Sequence, residues 1–278
     1  MKYLPLFAAT MLFAACDKVE NPLGEHEGPS SPPPSGVARR ILIEDYTGHR
    51  CVFCPEGHQI VEALKEEYGD GLIIISMHVS TLADPEPPGS TMYTTDFRTS
   101  DGNAIFERWN TQSIPKALVN RLPYNGTMLP GRSAWSSAVF AQTNLSASVD
   151  LWFDTLYLDG SHVRGTAKAA VLSPLSGNHQ LVLALTEDSI VDWQLVNGAE
   201  PPDQQFYTHR HALRGHLNGT WGEVIINSSA SVGDTLTLAF DHPLPSNVLN
   251  ASRTSLVAYL ANSTSDEVIQ AVEQKIVE

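Results

Sequence analysis

The sequence predicts an α/β region followed by an antiparallel β-sandwich. Three observations predict it. Apolar runs at residues 41–43 and 72–79 flank a segment with helical spacing, Cys51 and Cys54 sit between the first run and that segment, and from residue 145 the chain breaks into short strands separated by turn residues.

Before the folded part, residues 1–15, "MKYLPLFAATMLFAA", carry one cation at Lys2, a short apolar run and two small residues, the pattern of a secretory signal. Phe13-Ala14-Ala15-Cys16 resembles a bacterial lipobox, which implies cleavage before Cys16 and a diacylglycerol on its sulfur. In an ordinary cleaved signal Cys16 would be an incidental residue. Residues 16–36 are dense in Pro, Ser, Gly and acid and read as an extended linker. No later run reaches the roughly 18 apolar residues of a membrane span. The chain is 42% hydrophobic with a net charge of −14. This supports a core, excludes nucleic acid as a partner, and leaves Cys16 as the membrane link.

The first domain is expected over 37–144. Ile41, Leu42 and Ile43 form a buried strand; Pro55 suits a first helical turn, and Ile60, Val61, Leu64 and Tyr68 recur at helical spacing until Gly69 and Gly71. "LIIISMHV", 72–79, is a second strand, so 40–79 reads as strand, helix, parallel strand. Residues 80–95 are a Pro- and Gly-rich loop whose apolar tip, Met92-Tyr93, either covers a substrate or belongs to an unstructured insertion. Helices follow near 104–109 and 133–142.

This order places the cysteine pair at a helix N-terminus, where unpaired N–H groups and the helix dipole stabilise thiolate. Cys51, on the exposed side, is the expected attacking sulfur and Cys54 the resolving one. His49 and Arg50 are expected to add positive charge.

With these residues in place, the segment resembles a thioredoxin-fold active site. Asp45 stands six positions before Cys51, where that family carries a buried acid that moves protons. Ser113-Ile114-Pro115, before the strand-like Ala117-Leu118-Val119, matches the family's cis-proline loop facing the dithiol. Val52-Phe53 departs from the family's known intervening pairs, so redox direction does not carry over. A second resemblance joins the signal, "ILIEDYTGHRCVFCPEG", "IPKALVNR", "LTEDSIVDWQ", "YTHRHALR" and "VIQAVEQKIVE". From about residue 38 to the end the chain is similar to the outer membrane protein family named for its twenty-eight-kilodalton member, lipoproteins of Bacteroidetes-type bacteria. The resemblance implies an outer membrane lipoprotein in a Gram-negative cell envelope, facing the periplasm or the surface.

The second domain, 145–278, is the sandwich; Leu236, Leu238 and Phe240 alternate with Thr235, Thr237 and Ala239. Its "YTHRHALRGH" places His209 and His211 on one face of a strand. With His216 they make three imidazoles and no cysteine, short of the four ligands of a structural zinc site, so they read as polar groups closing an interdomain contact. His58, four residues after Cys54, could join the two sulfurs around a soft metal, but Asp45 and Pro115 have no role in a metal clip. His78 reads as a satisfied core histidine. Asp154-Thr155-Leu156, Asp188-Ser189-Ile190 and Asp234-Thr235-Leu236 resemble short O-glycosylation acceptors of Bacteroidetes-type bacteria. No cofactor motif, phosphate-binding glycine loop or serine-hydrolase elbow occurs.

Two functions follow. In one, the chain exchanges disulfides with extracytoplasmic proteins or a redox donor, through Cys51, Cys54, Asp45 and Pro115. In the other, Cys51–Cys54 is a permanent staple and the sandwich, whose ligand no motif names, acts as a surface binding or adhesion module.

Overall fold

The runs at 41 and 72 form fully buried strands because both of their faces are covered. The computed structural model describes residues 36–277 apart from Asn110 and Gln112; the expected signal, Cys16 and the linker up to residue 35 lie outside the described residues. Strands β1 (Ile41–Thr47) and β2 (Leu72–His78) are buried at every position and pair in parallel, from Ile41 opposite Leu72 to Thr47 opposite His78. Between them runs α1 (Cys54–Tyr68), ended by Gly69 at φ 54°. Helix α2 (Ser100–Trp109) starts earlier than its apolar spacing predicts, because Thr99 Oγ1 accepts the Gly102 amide at 2.9 Å and holds the first turn. Strand β3 (Lys116–Val119) runs antiparallel to β1, and α3 (Trp135–Phe140) is shorter than its predicted span because its first turn is 3₁₀.

Twelve strands follow: β4 (Val149–Asp159), β5 (His162–Val171), β6 (Leu175–Ser176), β7 (His179–Glu187), β8 (Ile190–Leu195), β9 (Asp203–His209), β10 (Ala212–His216), β11 (Glu223–Ile226), β12 (Ser229–Ala230), β13 (Thr235–Pro243), β14 (Thr254–Asn262) and β15 (Val268–Lys275). The expected α/β region and an antiparallel sandwich are both present, and they share one sheet. Its order is β15-β14-β7-β10-β2-β1-β3, with β11 also on β7, while β13-β5-β4 forms the facing layer. The seam is narrow: Ala212 of β10 lies opposite Ser76 of β2, and the Ser76 amide donates to the His211 carbonyl at 2.8 Å.

The two-residue period of β7 shows how the sheet serves both regions. Leu181, Leu183 and Leu185 face β4, β5 and β13 in the sandwich core, whereas Val182 and Ala184 join Ile73, Ile75, Tyr259 and Ile105 of α2 on the opposite face. On the sandwich side, the β1–β3 end is covered instead by Val61 and Leu64 of α1 and by Trp135, Ala138 and Val139 of α3. Among the described residues no helix is long and apolar enough to cross a membrane.

Candidate functional site

The cysteine loop is shaped by what packs on it. A Cβ at Gly48 would lie 2.7 Å from the Leu82 carbonyl oxygen, so only glycine lets the loop after β2 come this close; the Arg50 amide donates to that carbonyl at 3.0 Å. The chain then turns through Cys51 N–H to Gly48 O and Cys54 N–H to Cys51 O, and Cys54 opens α1 with Pro55 in its first turn. Cys51 and Cys54 are joined in a disulfide with Cα atoms 5.4 Å apart. Gly57, one turn on, accommodates the Trp135 ring, which a Cβ would meet at 2.9 Å, and Pro115 Cβ lies 3.6 Å from the same position. The Ile114–Pro115 bond is cis, and the Ile114 carbonyl oxygen is 4.0 Å from Cys51 Sγ.

Cys51 is only 3% exposed, which corrects the expectation of an exposed attacking sulfur. The hairpin β8–β9 covers it. The Leu195 amide donates to the His49 carbonyl at 2.8 Å, the Asn197 amide to the Val52 carbonyl at 3.0 Å, and Gln194 Nε2 to the Cys51 carbonyl at 3.2 Å. A groove of about 520 Å³ runs along the cis-proline loop, lined by Ser113, Ile114, Pro115, Lys116 and Arg132, and neither cysteine is part of its lining. Phe53, exposed beside it, lies under the Arg132 guanidinium.

The expected positive charge from His49 and Arg50 is also corrected. His49 is buried, which pushes its pKa down and keeps the ring neutral, while Nε2 bonds the Asp84 carbonyl at 3.0 Å. Arg50 is held by Glu86 at 2.5 Å. Tyr93, in the expected lid, is buried, and its hydroxyl donates to Asp203 Oδ1 at 2.6 Å, so the 80–95 loop is fixed against the hairpin. His78 is not satisfied: neither ring nitrogen has a partner among the described residues, and the ring stacks on Phe97 at 4.6 Å. His209 also packs on Phe97 at 4.6 Å, and the two imidazoles are 5.5 Å apart. His209 and His211 do not share a strand face, because β9 ends at His209 and His211 takes φ 52° before β10. No group of three His, Cys, Asp or Glu among the described residues is arranged to hold a metal ion.

Beneath the loop, Asp45 is fully buried on β1. Ser76 Oγ donates to its Oδ1 at 2.7 Å, and Oδ2 has no hydrogen-bond partner among the described residues. Burial pushes its pKa up to about 6, against the Ser76 hydrogen bond and the field of His211. His58 Nε2 lies 3.9 Å from Oδ2 and 2.8 Å from Thr47 Oγ1, while Nδ1 is 2.7 Å from the Tyr207 hydroxyl. Burial pulls His58 down to about 4, so it is neutral at pH 7. A buried carboxyl with a free oxygen and a raised pKa is equipped to take and return a proton.

Residues 102–278, more than half of the chain, match the family model described as outer membrane protein Omp28. The chain belongs to this family. The match starts after the cysteine pair, not near residue 38, so Omp28 membership speaks for the cell envelope and not for the dithiol. HBP35 of Porphyromonas gingivalis aligns with 86% of this chain and 76% of its own at 13% identity, with a TM-score of 0.61. A structural-genomics protein of Agrobacterium tumefaciens aligns with 86% and 95% at 12% identity, with a TM-score of 0.52. A domain of the outer membrane lipoprotein Omp28 from Porphyromonas gingivalis covers 47% of this chain and 97% of its own at 24% identity, with a TM-score of 0.30. At these identities the first two likenesses speak for the fold alone. No curated protein matches the sequence.

Proposed function

We propose that this Omp28-family chain is a lipoprotein, anchored in the outer membrane of a Gram-negative cell through Cys16, that exchanges disulfides with extracytoplasmic proteins. The observation that carries the reading is Asp45. A structural disulfide needs no ionisable group beneath it, and a buried carboxyl oxygen without a partner costs about 1–3 kcal/mol that an apolar residue would avoid. In the reduced protein, Cys51 thiolate attacks a substrate disulfide, forms a mixed disulfide and expels the other substrate sulfur as thiolate. Cys54 gives its proton to Asp45, attacks Cys51 and releases the reduced substrate, so two electrons pass from the dithiol to the substrate. The reverse sequence oxidises a substrate dithiol. The substrate binds in the Pro115 groove, whose Ile114 carbonyl oxygen is 4.0 Å from Cys51 Sγ, and reaches the sulfur by displacing the cover over it.

A second reading, a permanent staple in a surface binding module, is favoured by the burial of Cys51. Incubating the full-length Cys54→Ser variant with a disulfide-containing protein separates the two. Exchange predicts a covalent mixed disulfide through Cys51, absent when Cys51→Ser is combined with Cys54→Ser. A staple predicts no adduct in either.

A further inference from the structure

Asp45 is sealed at the front and open at the back. The hairpin and the loop after β2 close the cysteine face, with Cys51 3% exposed. Behind α1, however, lies a cavity of about 440 Å³, and its lining includes Ser76, His58, Tyr207, Glu62, Arg210 and His211. Ser76 Oγ and His58 Nε2 also lie beside the Asp45 carboxyl oxygens, at 2.7 Å and 3.9 Å. The carboxyl is therefore one side chain away from a cavity that opens to solvent.

From the geometry we infer that His58 and Tyr207 form the proton relay by which Asp45 exchanges with solvent. This rests on the redox reading for its purpose, but not for its test. The relay balances as a proton transfer in which the Tyr207 step follows an existing hydrogen bond, while the 3.9 Å between Asp45 Oδ2 and His58 Nε2 must close to hydrogen-bond distance. Asp45 gives its proton to His58 Nε2, His58 Nδ1–H donates to the Tyr207 oxygen at 2.7 Å, and the Tyr207 proton passes to water in the cavity. Protonation of Asp45 runs the same path backwards. Thr47 Oγ1, 2.8 Å from Nε2, donates to that nitrogen while it is bare, and must release it as the Asp45 proton arrives. Neutral His58 suits the role, since a ring already protonated at both nitrogens accepts nothing.

The charged groups that face the relay are Glu62 and Glu66 on α1, and Arg210 and His211 on the segment between β9 and β10. His211 Nε2 is 3.3 Å from Glu62 Oε1. Burial pulls His211 down, but the Glu62 hydrogen bond, with Asp188 and Glu273, outweighs it and holds His211 above its ordinary value. Glu62 is held below its ordinary range by that same partner. The pair keeps the cavity mouth polar. Tyr207 comes from the hairpin that caps the cysteines, so the cap also carries the far end of the relay.

The test uses the full chain with its disulfide intact. At pH 5 the carboxylic acid band of Asp45, assigned by its loss in Asp45→Asn, is followed by infrared spectroscopy after transfer to deuterated water. Tyr207→Phe removes the hydroxyl with little change of shape and is expected to slow deuteration at least about tenfold, a modest share of what a positioned acid–base group contributes. Imidazole, small enough to enter the cavity, should restore the rate. His58→Gln is expected to slow it as well and guards against a packing effect peculiar to Tyr207. Unchanged deuteration in both variants would overturn the relay. If deuteration slows but no mixed disulfide forms in the exchange assay, the relay stands and the redox reading falls.

Discussion

The core of the sandwich and the rim around the dithiol treat buried groups in opposite ways. Between β7, β14 and the facing sheet the core is a cluster of Leu, Val, Ile, Ala and Phe, with the buried polar pair Glu187 and Thr254 only at the end of the two strands. Around the dithiol, within a few residues of the ends of β1 and β2, the chain buries Asp45, Thr47, His49, Ser76 and His78, and the hairpin and β10 add Gln194, His209 and Arg214. Polar atoms of Asp45, His49, His78, Gln194, His209 and Arg214 lack partners among the described residues. The sandwich is built for stability; the rim gives stability up. That contrast is what supports the proposal of chemistry at the rim, since unsatisfied buried groups persist where they serve another end.

The comparison is sharpened most by a substitution on the sandwich side. Leu183→Ala, at a fully buried position of β7, should cost about 3 kcal/mol. Because β7 and β2 share a sheet through β10, the dithiol region should melt in the same thermal transition. Two separate transitions in calorimetry would break the account of one continuous sheet.

Next in size is the acid response of the rim. His58 and His209, pulled down by burial to about 4 and about 3, take up a proton in the unfolded chain near pH 6.5 but not in the folded one. Stability is therefore present above pH 6.5 and is lost as pH falls toward 4, by about 3 kcal/mol for each histidine. Denaturant titration at pH 7 and pH 4.5 checks this. Equal midpoints would mean that the histidines are not neutral in the fold.

Asp45 has the opposite sign. Its folded value of about 6 lies above the ordinary 3.8, so the folded chain binds the extra proton and stability falls as pH rises from about 4 to 6. Asp45→Asn should raise stability at pH 7 by up to about 3 kcal/mol while slowing disulfide exchange. A variant that is both less stable and equally active would sink the assignment. The smallest effect is expected at Phe206, 81% exposed on the outer face of the hairpin, where Phe206→Ser should change stability by less than about 0.5 kcal/mol.

The two-region plan was legible because its signals are local. Apolar runs marked β1 and β2, helical spacing marked α1, and the alternation of Leu236, Leu238 and Phe240 marked β13. The burial of Asp45 and the cis bond at Pro115 were legible only through the resemblance to thioredoxin-fold sites. The covered state of Cys51 was not, because it depends on amides of Leu195 and Asn197 more than 140 residues away, in a hairpin whose strands mix exposed Val191 and Phe206 with buried Gln194 and His209. The continuity of the sheet was hidden for a similar reason: one residue pair, Ser76 with Ala212, joins its halves. His58 and Tyr207 drew no joint attention because their contact spans the two regions.

The most direct measurement is the reduction potential of Cys51–Cys54 in the full chain, equilibrated with glutathione or dithiothreitol buffers of known composition. Disulfide exchange predicts a value above about −300 mV, within the range of thiol–disulfide oxidoreductases; a value well below it would mark a structural disulfide and contradict the redox account.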